Sequence, residues 1–184
     1  YQPIATGGFN TGALTDLQLA TTESPPSATA NIAIAANLPA TAAVPATAVF
    51  DPLDPTSYNN ATSLTVYDSL GAAHTGTLYF VKGAVANEWS TRLYVDGTAV
   101  GGAQALTYSP TGAPLTPATG NLAFPAYTPA TGAAPITVTL NVSKTTQYGS
   151  AFSVNTLTQD GYTTGRLVGM EIDSTGVATA RFTN

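Results

Sequence analysis

The sequence predicts an all-β protein, either an antiparallel β-sandwich or a distorted β-barrel. Two observations lead to this class. Apolar and polar residues alternate in several short segments, which is the period of a half-buried strand. β-branched and aromatic residues dominate those segments, and no stretch combines a helical period with helix caps. Long loops rich in Pro, Thr and Ala separate the segments, as in sheets with decorated connections.

The first strand is predicted over residues 30–38, where four apolar residues at alternate positions would face a core. Pro39 should end this strand. Before it, Pro25 and Pro26 block helix formation and remove two backbone donors, so we place a domain boundary near residue 28. After it, prolines recur among Ala and Thr over residues 40–58, which predicts an extended surface loop.

Two hairpins of one design are predicted. The first joins residues 63–67 to 77–81 through Asp68-Ser69-Leu70-Gly71. The second joins residues 165–172 to 177–183 through Asp173-Ser174-Thr175-Gly176. Asp at the first position and Gly at the fourth suit a type I turn, because the carboxylate accepts from the backbone N–H two residues on and Gly tolerates positive φ.

Between these hairpins, alternation predicts three further strands. Residues 88–95 should place Trp89 on the core face and end in a tight Asp96-Gly97 turn. Residues 104–109 predict a short strand, and residues 110–135 are again rich in Pro, Gly and Thr. Residues 136–142 alternate most cleanly of all and predict the clearest strand.

Composition excludes several classes of function. The net charge is −5 and the five Lys and Arg residues are scattered, so neither nucleic acid nor an anionic membrane surface is an expected partner. Charged residues make up 8% of the chain, against about a quarter in ordinary soluble domains, so Thr, Ser, Asn and Gln must provide solubility. There is no Cys, and no apolar run long enough to span a bilayer.

Candidate chemical groups all have a structural interpretation. His74 is the only histidine, and no nucleophile motif accompanies it. Asp51 and Asp54, with Asn59 and Asn60, offer oxygen ligands for calcium but lack the alternating spacing of a calcium loop. Most acidic residues are at turn positions, where an Asp carboxylate accepts hydrogen bonds from nearby backbone N–H groups. The alternative is a glycosidase site made of two carboxylates that come together only in the fold. We therefore predict no catalytic, cofactor-binding or metal-binding residues.

The tyrosines carry a more specific hypothesis. Tyr67, Tyr79 and Tyr94 alternate with core-type residues on successive predicted strands, so they would form an outward stripe that includes Arg92. Such a stripe could consist simply of cross-strand aromatic pairs that stabilise the sheet. It could also be a subunit contact, since Tyr and Arg are enriched in interfaces, or a platform for carbohydrate.

Three segments make the chain resemble the bacterial flagellar hook proteins. They are SLTVYDSLGAAHTGTLYFVK (63–82), TTQYGSAFSVNTLTQDGY (145–162) and the closing hairpin (165–183). The resemblance implies a structural subunit of the hook, the flexible universal joint that transmits torque from motor to filament. The implied location is extracellular, in the bacterial flagellum at the hook near the basal body. The implied partners are other copies of the subunit in a helical tube, together with hook cap and hook-filament junction proteins.

The resemblance also implies a domain map. Residues 28–153 would be an outer β domain inserted into a partial inner domain made of residues 1–27 and 154–184. Pro25, Pro26, Gly161 and Tyr162 are the predicted hinge. The chain starts at Tyr1 and is expected to be an excised piece without the terminal helical segments of the family, so it should be monomeric by itself. The alternative function is an extracellular β-domain binding module, such as an adhesin or a fibre domain, and a third is a hydrolase.

Overall fold

The computed structural model describes residues 2–3, 9–10, 24–174 and 178–183, and this part of the chain forms fifteen strands and no helix. The all-β prediction is confirmed. The described residues therefore contain no helix that is long and apolar enough to cross a membrane. In chain order the strands are β1 (Gln2–Pro3), β2 (Phe9–Asn10), β3 (Asn31–Pro39), β4 (Asn60–Tyr67), β5 (Ala73–Lys82), β6 (Glu88–Val95), β7 (Thr98–Ala99), β8 (Gln104–Tyr108), β9 (Pro114–Thr116), β10 (Asn121–Ala123), β11 (Thr139–Asn141), β12 (Thr146–Tyr148), β13 (Ser153–Gln159), β14 (Leu167–Ile172) and β15 (Ala178–Phe182).

The chain divides into two compact units, and the division differs from the predicted one. The larger unit is Pro25–Gly165, and the smaller unit contains Tyr1–Ser24 and Arg166–Thr183. The boundaries predicted from the sequence are 27/28 and 153/154. The second boundary falls later in the structure because β13 pairs along almost the whole of β3 and so belongs to the larger unit.

The larger unit contains a six-stranded antiparallel sheet in the order β4-β5-β6-β8-β9, with β7 paired to β6. Its buried positions follow the predicted alternation, and Trp89, Leu93 and Val95 share the core face of β6. The Asp96-Gly97 turn is confirmed: both residues have positive φ, of 49° and 76°, and the turn connects β6 directly to β7.

The first predicted hairpin, β4 with β5, is also confirmed. The Asp68 carbonyl accepts from Gly71 N–H and its carboxylate accepts from Leu70 N–H, while Gly71 has a φ of 80°. The second hairpin is β14 with β15, which pair antiparallel in the smaller unit. Thr175 and Gly176 of its predicted turn lie outside the described residues.

The second sheet of the larger unit has five strands, with β3 at its centre. Strand β13 runs antiparallel along one edge of β3, so β11 and β12, both parallel to β3, share the other edge at its two ends. Ile32, Ile34, Ala36 and Leu38 are buried, which confirms the predicted core face. The strand predicted over 136–142 is shorter in the structure, because β3 begins at Asn31, opposite Thr139, and offers no ladder before that point.

The two sheets face each other and share one hydrophobic core. Buried polar contacts also join them: the Trp89 indole N–H donates to Gln147 Oε1 at 2.8 Å, and the Tyr108 hydroxyl donates to Thr145 Oγ1 at 2.9 Å. Such pairs fix the lateral position of one sheet on the other, since a shift would leave buried donors unpaired. The buried apolar residues that form this core are Ile32, Ile34, Ala36, Leu38, Val66, Leu78, Phe80, Trp89, Leu93, Val95, Val100, Leu106, Tyr108, Leu122, Phe124, Ile136, Val138, Leu140 and Val142.

The core predicts an unusual gain of stability. Thr91 is fully buried on β6, and its hydroxyl has no hydrogen-bond partner among the described residues. Thr91→Val should raise the free energy of unfolding by about 1 kcal/mol, because it removes an unpaired buried donor at nearly constant shape. The fluorescence of Trp89, the single tryptophan, followed in urea would measure the change.

Thr145→Val is the matched control. The Thr145 hydroxyl is paired on both sides, since it donates to the Val142 carbonyl at 2.7 Å and accepts from Tyr108. This change should therefore lower stability by about 1 to 2 kcal/mol. Equal losses in both variants would contradict the assignment of Thr91 as unpaired.

Candidate functional site

Three of the four stripe residues lie together on the outer face of the six-stranded sheet. Tyr79 on β5 stands directly opposite Arg92 on β6, and Tyr94 is one same-face position along β6. The rings of Tyr79 and Tyr94 meet edge to face, with centroids 5.5 Å apart and an interplanar angle of 79°. This is the geometry that aromatic quadrupoles prefer.

Tyr67 does not join this group. It is on the same face of β4, but Ala61 is the β4 residue that pairs with Tyr79, and Tyr67 is six residues further along the strand. At the rise of an extended strand, six residues correspond to about 20 Å. Within the described residues, therefore, the stripe is a cluster of three residues with Tyr67 at a distance.

The loop between β3 and β4 covers the cluster, which the sequence did not predict. The Phe50 ring contacts Tyr79 and Tyr94 at centroid distances of 5.2 and 5.8 Å, and Tyr58 contacts Tyr79 at 4.9 Å. The Arg92 guanidinium carbon lies 4.6 Å from the centroid of the Phe50 ring, a cation–π arrangement. A signal existed in the sequence: Phe50 and Tyr58 are the two aromatic residues of a loop made mainly of Pro, Ala and Thr.

The same loop, residues 40–59, is held by a compact set of turns and is not extended as predicted. Asp51 Oδ1 accepts from Leu53 N–H and Asp54 Oδ1 accepts from Thr56 N–H, at 2.9 and 2.8 Å. The buried Ser57 hydroxyl lies within hydrogen-bond distance of the Asp51 and Asp54 carbonyls, and it accepts from Asp51 N–H. The prolines prevent a ladder, but the Asp side chains replace it with local hydrogen bonds.

These contacts also bear on the calcium hypothesis. The Asn59 side chain donates to the Ala43 carbonyl and accepts from Lys82 N–H, so its oxygen is directed at the protein backbone. The lower pKa of Asp54 is caused by its hydrogen bonds to Thr56 and Thr47, with burial opposing it. Among the described residues, no group of three or more His, Cys, Asp or Glu side chains could hold a metal ion.

His74 occupies a buried position between two carboxylates. Its Nδ1 lies 2.6 Å from Asp96 Oδ2, and its Nε2 lies 3.2 Å from Asp68 Oδ2. Asp68 is fully buried and also accepts from the Thr131 hydroxyl at 2.7 Å. Only the imidazolium form can donate from both nitrogens, so this geometry favours a charged His74.

The pKa values follow from these contacts. Burial alone would lower the pKa of His74, but the hydrogen bonds to Asp96 and Asp68 outweigh it and raise the pKa above its usual value. Burial would raise the pKa of Asp68, but donors from Thr131, Ala72, His74 and Leu70 lower it to about 2. Asp68 follows β4, Asp96 follows β6, and Thr131 belongs to the loop before β11. The contacts among His74 and these residues, which we call the His74 relay, therefore join three parts of the fold.

The predicted hinge residues lie at or next to two hydrogen-bonded segments, residues 27–31 and 159–162, which we call the crossing. Ser27 and Tyr162 exchange two backbone hydrogen bonds of 2.9 Å, and the Thr29 hydroxyl donates to Gln159 Oε1 at 2.7 Å. A Cβ on Gly161 would lie 2.3 Å from Thr29 Oγ1, so only Gly fits there. Pro25 and Pro26 are next to the division between the units, whereas Gly161 and Tyr162 lie within the larger unit.

Asp160 closes the same crossing from the other side. Its carboxylate accepts from Ala30 N–H and Asn31 N–H at 2.9 Å, and from the Asn31 side chain at 2.7 Å. Burial would raise the pKa of Asp160, but these donors outweigh it and lower the pKa. The TQDGY segment of the sequence is thus the part that ties the end of β13 to the start of β3.

Comparisons with known proteins agree on one family. The family described as the flagellar basal body protein FlaE D2 domain matches residues 37–162, which include the aromatic cluster and the His74 relay. The flagellar hook protein FlgE of Rhizobium meliloti (strain 1021) is 34% identical over 137 residues, covering 68% of this chain and 32% of that protein. FlgE of Salmonella typhimurium is 30% identical over 161 residues, covering 80% of this chain and 37% of that protein. The chain thus spans about a third of the length of these curated relatives.

Solved structures show only a weak likeness. The 32 kDa fragment of the flagellar hook protein FlgE from Caulobacter crescentus has a TM-score of 0.47 at 15% identity, covering 56% of this chain and 47% of that one. Helicobacter pylori flagellar hook protein FlgE2 has a TM-score of 0.44 at 16% identity, covering 67% of this chain and 29% of that one. The relationship therefore rests on the sequence matches.

The relay predicts a stability that depends on pH. Because the pKa of His74 is raised in the folded state, its contribution is complete below the unfolded value of about 6.5 and is lost as pH rises through the folded pKa. The contribution of Asp68 to stability changes with pH in the opposite direction, because its pKa is lowered in the folded state, and it is lost as pH falls toward about 2. We expect the free energy of unfolding to decline as pH rises above about 6.5 through the folded pKa of His74.

His74→Gln should remove that decline and lower stability by about 2 kcal/mol at pH 6, because it takes the cation from two carboxylates. His74 is the single histidine, so an NMR titration of its ring assigns the pKa without ambiguity. A ring that titrates below 6.5, or an unchanged pH slope in the variant, would contradict the relay.

The crossing predicts a second effect. Gly161→Ala should cost about 3 kcal/mol, since the new methyl group collides with Thr29, which is itself hydrogen-bonded to Tyr67 and Gln159. Gly149→Ala is the control, because a Cβ there meets nothing within 4 Å, and it should change stability by less than about 0.5 kcal/mol. Urea unfolding followed by Trp89 fluorescence compares the two, and a tolerated Gly161→Ala would mean that the crossing adapts.

Proposed function

The chain belongs to the flagellar hook protein family, and from this premise we propose that it is part of a structural subunit of the bacterial flagellar hook, outside the cell. The observation that carries the proposal is the family match over residues 37–162, supported by two hook protein relatives at 34% and 30% identity. The family is structural and not enzymatic. Its role here would be that of a flexible joint that passes torque from motor to filament.

The larger unit has the properties of a stiff body in such a joint. Its two sheets share one core, and buried pairs such as Trp89 with Gln147 resist sliding between them. A rotating bent tube requires each row of subunits to shorten and lengthen once per turn. A body that keeps its shape leaves this change to the contacts between subunits, which can be remade at low cost when they are small and polar.

The outer surface suits contacts of this kind. Charged residues are 8% of the chain, and the exposed positions of β4 and β5 are mainly Thr, Ser and Ala. Few fixed ion pairs would have to break as neighbours move. Tyr79, Tyr94 and Arg92, which are partly exposed beside Phe50, form the surface that we propose for contact with another copy, with Tyr67 as an outlying member.

The domain map belongs to the same proposal. The larger unit would be the outer domain of the hook subunit, and the smaller unit would be part of the inner domain. The hinge would be the crossing at Pro25 and Pro26, with Gly161 and Tyr162 as its paired return. We also propose partners beyond other copies, namely hook cap and hook-filament junction proteins. We expect this chain by itself to remain monomeric.

The carbohydrate-binding alternative is not favoured. It depended on an open tyrosine platform, but Phe50 and Tyr58 pack against Tyr79, with ring centroids 5.2 and 4.9 Å from its own. The hydrolase alternative has no support from the buried relay, where Asp68 is directed at His74 and Thr131 and is fully buried.

Location tests the proposal directly. Antibody raised against this chain, applied with gold label to flagellated cells of the organism that encodes it, should mark only the short curved segment at the base of each filament. Antibody first adsorbed with the purified chain is the control and should leave that segment unmarked. Gold on the cell surface or on another appendage would refute the hook proposal and favour the adhesin hypothesis instead.

A further inference from the structure

The loop that covers the aromatic cluster displays apolar side chains to solvent. Leu53 is 89% exposed, Val49 78% and Val44 53%, although the loop is held in place by its own turns. An apolar group that is fixed in an exposed position is pre-organised for binding, because little conformational entropy remains to be lost. Leu53 is therefore a candidate contact residue.

Charge surrounds this residue in a particular way. Asp51 is exposed and Asp54 is partly exposed, and each uses one carboxylate oxygen in the loop's own hydrogen bonds. Two carboxylates therefore flank Leu53 in the chain, at positions 51 and 54. A matching surface would be a small apolar pocket with a cation at its edge.

The opposite side of the sandwich carries such a pocket. A cavity of about 130 Å³ lies on the outer face of the five-stranded sheet. Ala33 and Ala35 form its floor because they alternate with the core-facing Ile34. Thr156 and Thr158, which pair with those alanines, and Asn141 form its walls. Engineered cavities of about 150 Å³ accommodate a benzene ring, so one branched aliphatic side chain is of suitable size.

Lys144 lines this pocket and is exposed. It forms no salt bridge with any described residue, and no acidic side chain lines the pocket. The pocket is thus suited in size to the Leu53 side chain and opposite in charge to Asp51 and Asp54. Because the loop lies on the outer face of the other sheet, one chain cannot bring its own Leu53 to its own pocket.

We propose that Leu53 of one copy of this chain inserts into the pocket of Ala33, Ala35 and Thr156 in the next copy, with Asp51 and Asp54 beside its Lys144. The inference rests on the proposed function, which supplies the second copy as the occupant. Each copy uses its loop toward one neighbour and its pocket toward another. Such a heterologous contact does not close on itself and generates an open row of subunits, as a tube requires.

The contact is small, which agrees with a joint that must bend. One side chain in a shallow pocket buries far less than the roughly 1,600 Å² of a standard stable interface, so isolated chains would not pair. In a tube, where other contacts hold neighbours together, the effective concentration is high and a weak contact still forms. It can also open on the stretched side of the bend and close again on the compressed side.

Disulfide trapping in assembled hooks tests the proposal, because the chain contains no cysteine of its own. The full-length hook protein of the source organism would carry Leu53→Cys with Thr156→Cys, in a background without other cysteines. Isolated hooks, oxidised and run without reductant, should give a ladder of dimers, trimers and longer multimers. Val85→Cys with Thr156→Cys is the control, since Val85 is also an exposed apolar residue but lies in the β5–β6 turn, and it should give no ladder.

Charge provides a second arm of the experiment. Lys144→Glu added to the trapping pair should lower the fraction of cross-linked chains about fivefold, by placing like charges together, and Lys144→Arg should leave it unchanged. If the gold-labelled antibody marks the hooks but the cysteine pair gives no ladder of multimers, this inference is overturned and the proposed function stands. Absence of the chain from hooks would overturn both.

A further variant decides the case in which the cysteine pair does not assemble. In the otherwise unchanged full-length protein, Leu53→Asp should reduce the number of intact curved hooks seen by electron microscopy, while Leu53→Met should not. The change is at an 89% exposed position, so it does not disturb the core. Hooks of normal number and curvature with Leu53→Asp would overturn the proposal.

Discussion

The burial of one strand, β3, is the constraint on which the larger unit depends. Its apolar residues Ile32, Ile34 and Leu38 are almost fully buried, and its two edges are paired with β13 on one side and with β11 and β12 on the other. Because this strand is covered on its core face and paired on both edges, its hydrogen bonds are complete only when distant segments of the chain have paired with it. The end of β13 is tied back to the start of β3 by Asp160, so the larger unit is closed at the same strand that organises its core.

Buried polar groups then select one arrangement of the two sheets. Apolar packing alone tolerates small shifts, whereas the pairs of Trp89 with Gln147 and Tyr108 with Thr145 do not. The relay of Asp68, His74 and Asp96 adds a charged contact at one end of the six-stranded sheet, where two turns approach the loop that carries Thr131. Although the chain has few charged residues, three of its ionisable groups, Asp68, His74 and Asp96, connect these turns and this loop.

The outer surfaces have the opposite character. On one side the loop after β3 covers Tyr79 and Tyr94 and displays Leu53. On the other side Lys144, which forms no salt bridge with any described residue, lies at the edge of a shallow pocket. In the joint that we propose, a rigid core and weak surface contacts would be complementary requirements. Torque would pass through bodies that keep their shape, and small contacts between those bodies would permit bending.

Much of this organisation was readable from the sequence. Alternation identified the core faces of β3 and β6, and the Asp68–Gly71 and Asp96-Gly97 turns followed from local turn chemistry. These features depend on neighbours within a few residues, so the local pattern contains them. The tertiary structure alone decided that β11 and β12 pair with β3 in parallel, that Phe50 covers the tyrosines, and that His74 lies between two carboxylates. Apart from the contact of His74 with Asp68, these join segments far apart in the chain, and periodicity states which face a residue occupies but not which distant residue it meets.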